Sequence, residues 1–306
     1  MSAPLDDQLD VVDLKSLRCL WALGRRGSIS GASIELGISE PAVSKRLRKL
    51  ADYLGVALYD APGGKVTLTE EGTRTWEMSV SLFDQLSEFE ANLRDGGVSG
   101  DLTIVAEDPV QRYLLVPLFA DYRRQHPAVR IRLPARKVSE ALGCVARAEA
   151  DLAVVPKRAV IPAGLMFWPW RTYEAHLIAA AGHPIARDGK IDLARAVASK
   201  QIERYELVVA ESQELDAQRV TSTMRDHGVA MSVALAVGSI DGVKEAVAAG
   251  LGLGVVPAIC LDPADGRLVA TRLPNKYQAQ TVYGAIFRES GHRSAAMAAL
   301  LELMTS

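Results

Sequence analysis

The segment from residue 29 to residue 50, ISGASIELGISEPAVSKRLRKL, constrains the fold of this chain more than any other stretch. Two short helical patterns, over residues 30–36 and from residue 40 to about 54, lie on either side of the tight turn Gly37-Ile38-Ser39. Two helices joined by a turn of this length have the layout of a helix-turn-helix motif. The sequence therefore predicts such a motif near the N-terminus.

The second helix of this motif is predicted to bury one face and expose the other. Ser39 is a suitable N-cap residue, and Pro41 fits the first turn, where its missing N–H costs nothing. Apolar residues at spacings of four, three and four predict one buried stripe. They are Val43, Leu47, Leu50 and Leu54. The exposed face is small at first and basic beyond, with Ala42, Ser44, Lys45, Arg46, Arg48 and Lys49. Such a face suits the DNA major groove, although a solvated basic face is the plainer alternative.

Flanking elements extend the motif into a winged helix-turn-helix domain, expected over residues 12–69. Two short strands, at residues 55–59 and 66–69, are predicted around a glycine-rich turn at residues 62–65. Asp13 is the expected cap of a first helix that packs under the second motif helix. Its packing residues are Leu14, Leu17, Leu20 and Trp21, with base stacking as the alternative role of the tryptophan.

The charge of the chain is concentrated in this domain. Residues 14–66 hold nine Lys and Arg against four Asp and Glu, whereas the whole chain holds 35 against 37. Only this part of the chain has the basic character of a nucleic-acid binder.

The order and spacing of residues 14–72 resemble the DNA-binding module of the LysR-type transcriptional regulators. The matching residues are Leu17, Leu20, Gly27 to Ala32, Ser39 to Ser44, Leu50, Leu54 to Val56, Leu58, Tyr59 and Leu68 to Gly72. The resemblance implies a bacterial regulator, dimeric or tetrameric, that binds operator DNA and a small-molecule effector, with RNA polymerase as a further candidate partner. The residues expected at the DNA are Ser30, Ser39, Glu40, Pro41, Ala42, Ser44, Lys45, Arg46, Arg48, Lys49 and Lys65.

Two positions depart from the pattern of that family. Glu40 stands where the family usually has Gln, and Ala61 stands where it has Arg. A carboxylate at position 40 is repelled by phosphate, although it can accept a hydrogen bond from a cytosine amine. We therefore expect an altered half-site or a weaker phosphate clamp.

A long linker helix is predicted over residues 70–95, before a hinge at residues 96–100. It has one apolar stripe, formed by Trp76, Val80, Phe83, Leu86, Phe89 and Leu93. A single stripe on a long helix indicates pairing with a partner helix and hence dimerisation. The alternative is that this stripe packs on the chain's own C-terminal domain.

Residues 101–306 are predicted to form a parallel-sheet α/β domain, because strand and helix patterns alternate there. The motifs Gly182-His183-Pro184 and residues 249–257 extend the family resemblance, which implies two lobes similar to periplasmic solute-binding proteins. Lobe I is expected at about residues 101–163 and 265–306, and lobe II at about 164–264. The whole chain is thus expected to combine α+β and α/β domains.

By the same resemblance, the effector is expected between the lobes, at loops that follow the strands. The candidate residues are Glu107, Asp108, Pro109, Val110, Pro156, Ser212 and Ser239. Both serines are also normal helix caps, so capping alone is an open alternative. Glu107 and Asp108 repel an anion, and we therefore expect a neutral or cationic effector.

Other functional classes find little support in the sequence. Three cysteines and five histidines are scattered without metal or catalytic spacing, so no cofactor, metal site or enzymatic activity is expected. Gly250, Gly252 and Gly254 precede a strand, which favours helix capping over phosphate binding. The acidic N-terminus and the absence of a long apolar run indicate a cytoplasmic protein with no membrane partner. A constitutive architectural DNA binder, and an enzyme or solute binder with a DNA-binding head, remain as alternatives.

Overall fold

The computed structural model describes residues 13–60, 66–95, 98–157, 160–211, 220, 222–277 and 280–305. The predicted leader up to residue 12, Lys65 at the wing tip and Ser212 of the candidate effector site lie outside the described residues. The same holds for residues 96 and 97 of the hinge.

Within residues 13–60 and 66–68, the N-terminal domain has three helices and a two-stranded wing. Its elements are α1 (Leu14–Arg26), α2 (Ile29–Leu36), α3 (Glu40–Leu54) and the antiparallel strands β1 (Tyr59–Asp60) and β2 (Thr67–Leu68). Its core is formed by apolar residues of the three helices, among them Leu20, Leu23, Val43, Leu47 and Leu50. The predicted helix-turn-helix is therefore present, with the expected buried stripe on α3 up to Leu50.

Caps fix the ends of these helices. The Asp13 carboxylate accepts a 2.7 Å hydrogen bond from the Ser16 backbone N–H, as predicted for the start of α1. Ser28 caps α2 through a 3.0 Å bond from the Gly31 N–H. Gly37 ends α2 at φ 65°, in the left-handed region that glycine adopts without strain. The turn of the motif is thus set by local sequence.

Two details of the predicted packing are wrong, and the predicted N-cap residue of α3 lacks its hydrogen bond. Ser39 occupies the N-cap position of α3, but its side chain makes no capping hydrogen bond. Leu14 is exposed because it is the first residue of α1 and lies ahead of the core. Leu54 is also exposed, because the last turn of α3 faces a groove beside the linker helix instead of the core.

The linker helix α4 (Glu70–Asp95) begins two residues after the end of wing strand β2. The Thr69 hydroxyl accepts a 2.9 Å bond from the Gly72 N–H and donates a 2.6 Å bond to the Ala57 carbonyl. A Cβ at Gly72 would lie 1.8 Å from the Leu58 carbonyl oxygen. Only glycine therefore allows this helix to start so close to the wing.

The predicted apolar stripe of α4 divides into two parts. Trp76 and Val80 are buried in the core of the N-terminal domain, whereas Leu86 and Phe89 are exposed. Trp76 Nε1 donates a 3.1 Å hydrogen bond to the Trp21 carbonyl, and Trp21 packs against the same core. Only the second part of the stripe is free for a partner. The Leu93 side chain lies outside the described part of the helix.

The described residues of the C-terminal domain form one mixed sheet of nine strands. The strands are β3 (Gly100–Ala106), β4 (Val129–Arg132), β5 (Leu152–Pro156), β6 (Leu165–Ala180), β9 (Leu207–Ala210), β10 (Val233–Val237), β11 (Leu253–Pro257), β12 (Leu268–Arg272) and β13 (Gln280–Arg288). Their order is β10-β9-β11-β6-β13-β5-β3-β4, with β12 also paired to β6. A separate hairpin is formed by β7 (Ala186–Arg187) and β8 (Lys190–Ile191).

Helices cover the sheet on both faces. Helix α5 runs through Asp108–Val110, a π-helical turn at Gln111–Leu115, and Val116–Gln125. The others are α6 (Val138–Ala146), α7 (Leu193–Ala198), α8 (Ile240–Ala248) and α9 (Ala295–Thr305), together with helical residues at 220 and 222–226. The sheet is mixed and not parallel as predicted, because β6, β12 and β13 run antiparallel to their neighbours.

Strand β6 runs through both lobes of this domain. Its first half pairs with β13, and its second half pairs with β11 and β12. Because β12 is paired there and Tyr277 is buried in the core of lobe II, the return to lobe I comes near residue 280, not 265. In the first half of β6, Pro169 lies opposite Gly284 at a break in register. A proline in a strand is tolerated at such an irregularity.

Candidate nucleic-acid interface and inter-lobe site

The exposed face of α3 brings most of the predicted DNA-binding residues together. Pro41, Lys45 and Arg48 follow one another at helical spacing and are all exposed, as are Glu40 and Lys49. Ala42 and Ser44 lie half-buried between them, and Ser39 and Ser30 are exposed at the starts of α3 and α2. A row of cations on the second helix of this motif can reach base edges and phosphates in a major groove.

Arg46 lies at the edge of that face, next to α1, and not beside Lys45 and Arg48. Burial raises the pKa of the Cys19 thiol, and a hydrogen bond from Arg46 partly offsets the rise. The pKa of Asp13 is lowered chiefly by its hydrogen bond with Ser16, and the charges of Lys49 and Arg46 contribute to this. Arg46 therefore lies against α1, which leaves Lys45 and Arg48 as the leading cations of α3.

Two further cations of the domain pair with one half-buried acid. Glu35 Oε1 lies 3.1 Å from Arg25 Nη1, and Glu35 Oε2 lies 2.8 Å from Arg26 Nε. The Arg25 guanidinium also stacks 4.4 Å from the centre of the Trp21 ring. This ion-pair network joins the end of α1 to α2 and holds both arginines within the domain.

The candidate effector loops of lobe I meet at one edge of the sheet. Ala106 of β3 pairs with Val154 of β5 in a parallel register, so residues 107–110 and Pro156 follow neighbouring strand ends. Asp108 is exposed and Glu107 half-buried, whereas Val110 and Pro156 are buried. Val110 belongs to the core of lobe I and is not open to a ligand.

Ser239, the candidate residue of lobe II, is a helix cap. Its hydroxyl accepts a 3.0 Å bond from the Gly242 N–H at the start of α8. One lone pair of the hydroxyl is therefore committed to the helix, as the capping alternative expects.

A cluster that the sequence did not reveal joins the two lobes. Tyr113 and Arg112 in the π-helical turn of α5 face Asp241 and Lys244 in α8. The Tyr113 hydroxyl donates to Asp241 Oδ1 and accepts from Lys244 Nζ at 2.7 Å. Arg112 Nη1 lies 2.8 Å from Asp241 Oδ2, and Lys244 Nζ lies 2.9 Å from Asp241 Oδ1. Lys244 also donates to the Cys260 carbonyl at 2.9 Å.

The pKa values in this cluster follow from these bonds. Burial alone would raise the pKa of Asp241, but the Tyr113 hydroxyl and the Lys244 ammonium hold it below its usual value. Burial alone would lower the pKa of Lys244, but its bonds to Tyr113 and Asp241 raise it. Burial and the bond to Asp241 raise the pKa of Tyr113. These shifts favour a carboxylate at Asp241, an ammonium at Lys244 and a neutral phenol at Tyr113.

A second acid–base contact joins α4 to lobe I. Arg288 Nη2 lies 3.7 Å from Asp84 Oδ2, and Arg288 Nη1 donates to the carbonyls of Val145 and Ala150 at 3.0 and 3.3 Å. Burial raises the pKa of Asp84 to about 6, although the charge of Arg288 opposes the rise. The linker helix thus rests on the effector domain through a carboxyl that titrates in a physiological range.

Two absences hold for the described part of the chain. No group of three or more His, Cys, Asp or Glu is arranged there to hold a metal ion. Within the same residues, no helix is long and apolar enough to cross a membrane.

Comparison with known proteins defines the class of this chain. Residues 14–73 match the family described as bacterial regulatory helix-turn-helix protein, lysR family, and residues 95–306 match the LysR substrate binding domain. The chain belongs to the LysR family of transcriptional regulators: a DNA-binding regulator controlled by a small-molecule effector.

Relatives with known names agree with this assignment. The chain is 31% identical to the RuBisCO operon transcriptional regulator of Allochromatium vinosum, over 80% of this chain and 79% of that protein. It is 29% identical to the HTH-type transcriptional activator CmpR of Synechocystis sp., over 81% and 80% of the two chains. The full-length structure of OxyR from Pseudomonas aeruginosa shares the fold, with a TM-score of 0.66, 18% identity and 96% and 97% coverage.

Proposed function

We propose that this regulator reads a two-part operator through α3, with Lys45 and Arg48 as its principal contacts to bases and phosphates. The observation that carries the proposal is the exposed row of Pro41, Lys45 and Arg48 on a helix whose opposite face is buried from Val43 to Leu50. Ser39 leaves its hydroxyl free of capping, which suits a phosphate contact at the helix start. Lys65 and Ser30 are proposed as further phosphate contacts.

Glu40 restricts which DNA groups this interface can contact. It is exposed in the first turn of α3, beside the residues that approach the DNA most closely. Its carboxylate disfavours phosphate and favours a cytosine amine as its partner. We infer a half-site with a C·G pair at the position that Glu40 reaches.

The proposed regulator acts as a dimer or tetramer through the exposed apolar side of α4. Met78 is 73% exposed and Phe89 is 60% exposed, with Leu82 and Leu86 between them. A groove of about 580 Å³ between α3 and α4 continues this surface, lined by Leu17, Leu50, Leu54, Met78 and Leu82 among others. Exposed apolar patches of this kind mark association surfaces. Paired domains would place two recognition helices about 34 Å apart, one turn of DNA.

The effector site is proposed between the lobes, where α5 and α8 begin. Glu107 and Asp108 border it from lobe I and Ser239 from lobe II, and the Arg112, Tyr113, Asp241 and Lys244 cluster bridges it. A ligand that changes this bridge would change the lobe arrangement and, through α4, the spacing of the recognition helices. Because it acts on DNA, the protein is assigned to the cytoplasm, with RNA polymerase as a candidate partner and no catalytic role.

Selection of genomic DNA fragments by the purified protein tests the DNA part of this proposal. Wild type is expected to recover an interrupted palindrome, and Lys45→Ala to lose it. Arg48→Ala is expected to reduce the salt slope of binding by about one, as loss of a phosphate contact does. Arg123→Ala, an exposed helical arginine of the effector domain, is the matched control and should behave as wild type. Recovery of salt-sensitive, sequence-neutral DNA by wild type would favour an architectural binder instead.

A further inference from the structure

The four side chains that join the lobes satisfy one another almost completely. Lys244 donates to Tyr113 and to the Cys260 carbonyl and pairs with Asp241. Asp241 Oδ1 accepts a hydrogen bond from the Tyr113 hydroxyl and pairs with the Lys244 ammonium, and Asp241 Oδ2 pairs with the Arg112 guanidinium. One carboxylate therefore receives two cations and a hydroxyl, a donor set that an anionic ligand would also require.

The position of this carboxylate favours an anion for a second reason. Asp241 lies in the first turn of α8, a helix of nine residues whose N-terminal dipole end stabilises negative charge. The Lys244 side chain is only 15% exposed, so its charge depends on a close counter-ion. Arg112 is 62% exposed, so the Oδ2 side of the carboxylate opens toward solvent.

We propose that Asp241 is an internal anion that occupies the anion-binding position between the lobes and thereby excludes anionic effectors. This inference rests on the proposed function only in taking the space between the lobes as the effector site. An incoming carboxylate or phosphate would have to displace Asp241 from Tyr113 and Lys244, leaving its charge unpaired and half-buried. A neutral or cationic effector meets no such competition. Asp241 is thus a specificity-determining residue.

The negative charges of lobe I act in the same direction. Glu107 and Asp108 begin the helix that carries Arg112 and Tyr113, so their carboxylates add to the repulsion of an anion near this cluster. A purely structural bridge between the lobes would differ in one respect. Its loss would loosen the lobes, but it would not create a site for a new class of ligand.

Removal of the internal charge separates these two possibilities. The full-length Asp241→Asn variant keeps the shape of the side chain but leaves Lys244 and Arg112 without their counter-ion. Calorimetric titration with benzoate and with inorganic phosphate, at constant ionic strength and without DNA, is expected to show at least about tenfold tighter binding to the variant than to wild type. The double variant Asp241→Asn, Lys244→Met should lose this gain.

The remaining outcomes contradict the proposal. Equal binding of the anions to wild type and Asp241→Asn would show that Asp241 excludes nothing. Absence of binding to the variant, with circular dichroism showing a folded protein, would show that no anion position exists between the lobes. Asp241→Ser, which opens the same position with a smaller side chain, replaces the first variant if that one does not fold. Because no DNA is present, failure of the operator selection and failure of this inference are separate results.

Discussion

Arg288 lies 3.7 Å from Asp84, so a residue near the C-terminus of the chain contacts the linker helix that follows the DNA-binding domain. The same arginine donates to two carbonyls of lobe I, at Val145 and Ala150. A second contact, 3.3 Å between Ser290 Oγ and Glu77 Oε2, lies nearby. The linker helix is therefore attached to lobe I by side chains that can be tested singly.

The carboxyl of Asp84 makes this attachment dependent on pH. Its pKa is raised from 3.8 to about 6 by burial and by Asp151, against the charges of Arg288, His292 and Arg25. The folded state thus binds a proton more tightly than the unfolded state, so its contribution is full below about pH 4 and is lost as pH rises through 6.

Asp84→Asn is therefore expected to be more stable than wild type at pH 7.5, by about 1 kcal/mol after allowance for partial exposure. The difference should disappear near pH 4. Thermal unfolding of both proteins between pH 4 and 7.5 measures it. A variant less stable than wild type at pH 7.5 would show that the pair with Arg288 outweighs the cost of burying the carboxylate.

Gly72→Ala is expected to destabilise the N-terminal domain by about 1–3 kcal/mol, since a Cβ would lie 1.8 Å from the Leu58 carbonyl oxygen. Chemical denaturation monitored by tryptophan fluorescence measures the loss. Gly266→Ala is the matched control, because a Cβ at Gly266 meets no atom within 4 Å. Equal stability of the two variants would contradict the close approach of α4 to the wing.

Glu35→Gln is expected to release Arg25 and Arg26 from their ion pairs and to lower stability by about 1 kcal/mol. Two freed cations near the recognition helix should also strengthen binding to non-operator DNA and steepen its salt dependence. Fluorescence anisotropy on a random duplex at several salt concentrations tests this. An unchanged salt slope would show that both arginines remain directed away from DNA.

Phe89→Glu is expected to shift the protein toward monomer, because a charge on the exposed apolar side of α4 cannot be buried against a partner helix. Sedimentation velocity at micromolar concentration measures the shift. Val160→Glu, which replaces a residue that is 79% exposed on the effector domain, is the control and should leave the oligomer intact. Dissociation by both variants, or by neither, would argue against α4 as the interface.

The parts of this fold that could be predicted from sequence depend on nearby residues. The helix-turn-helix follows from the spacing of Val43, Leu47 and Leu50 and from the glycine at position 37 that ends α2. These signals act within one or two helical turns. Asp13 shows the same for a cap, since its partner Ser16 is three residues away.

The contacts that the sequence did not predict join residues that are far apart along the chain. Arg112 and Asp241 are 129 positions apart, and nothing near either residue indicates that α5 and α8 face each other. Arg46 has helical spacing that suits DNA, but its contact with Cys19 depends on how α1 crosses α3. Ser39 has the residue type of a cap without the hydrogen bond. Residue type thus indicates which contacts a side chain can make, whereas tertiary packing determines which of them it makes.

The 16-residue strand β6 has a further consequence for how this domain can change in evolution. Because successive side chains of a strand point to opposite faces, one inserted or deleted residue inside β6 would exchange the inner and outer faces of everything beyond it. Such a change near the middle of β6 would turn the core-facing side chains of one lobe outward relative to those of the other, even if each lobe kept its own sequence. The lobes therefore share one alternation of inner and outer side chains along β6, and we expect a change of length to be tolerated only in the loops on either side of it.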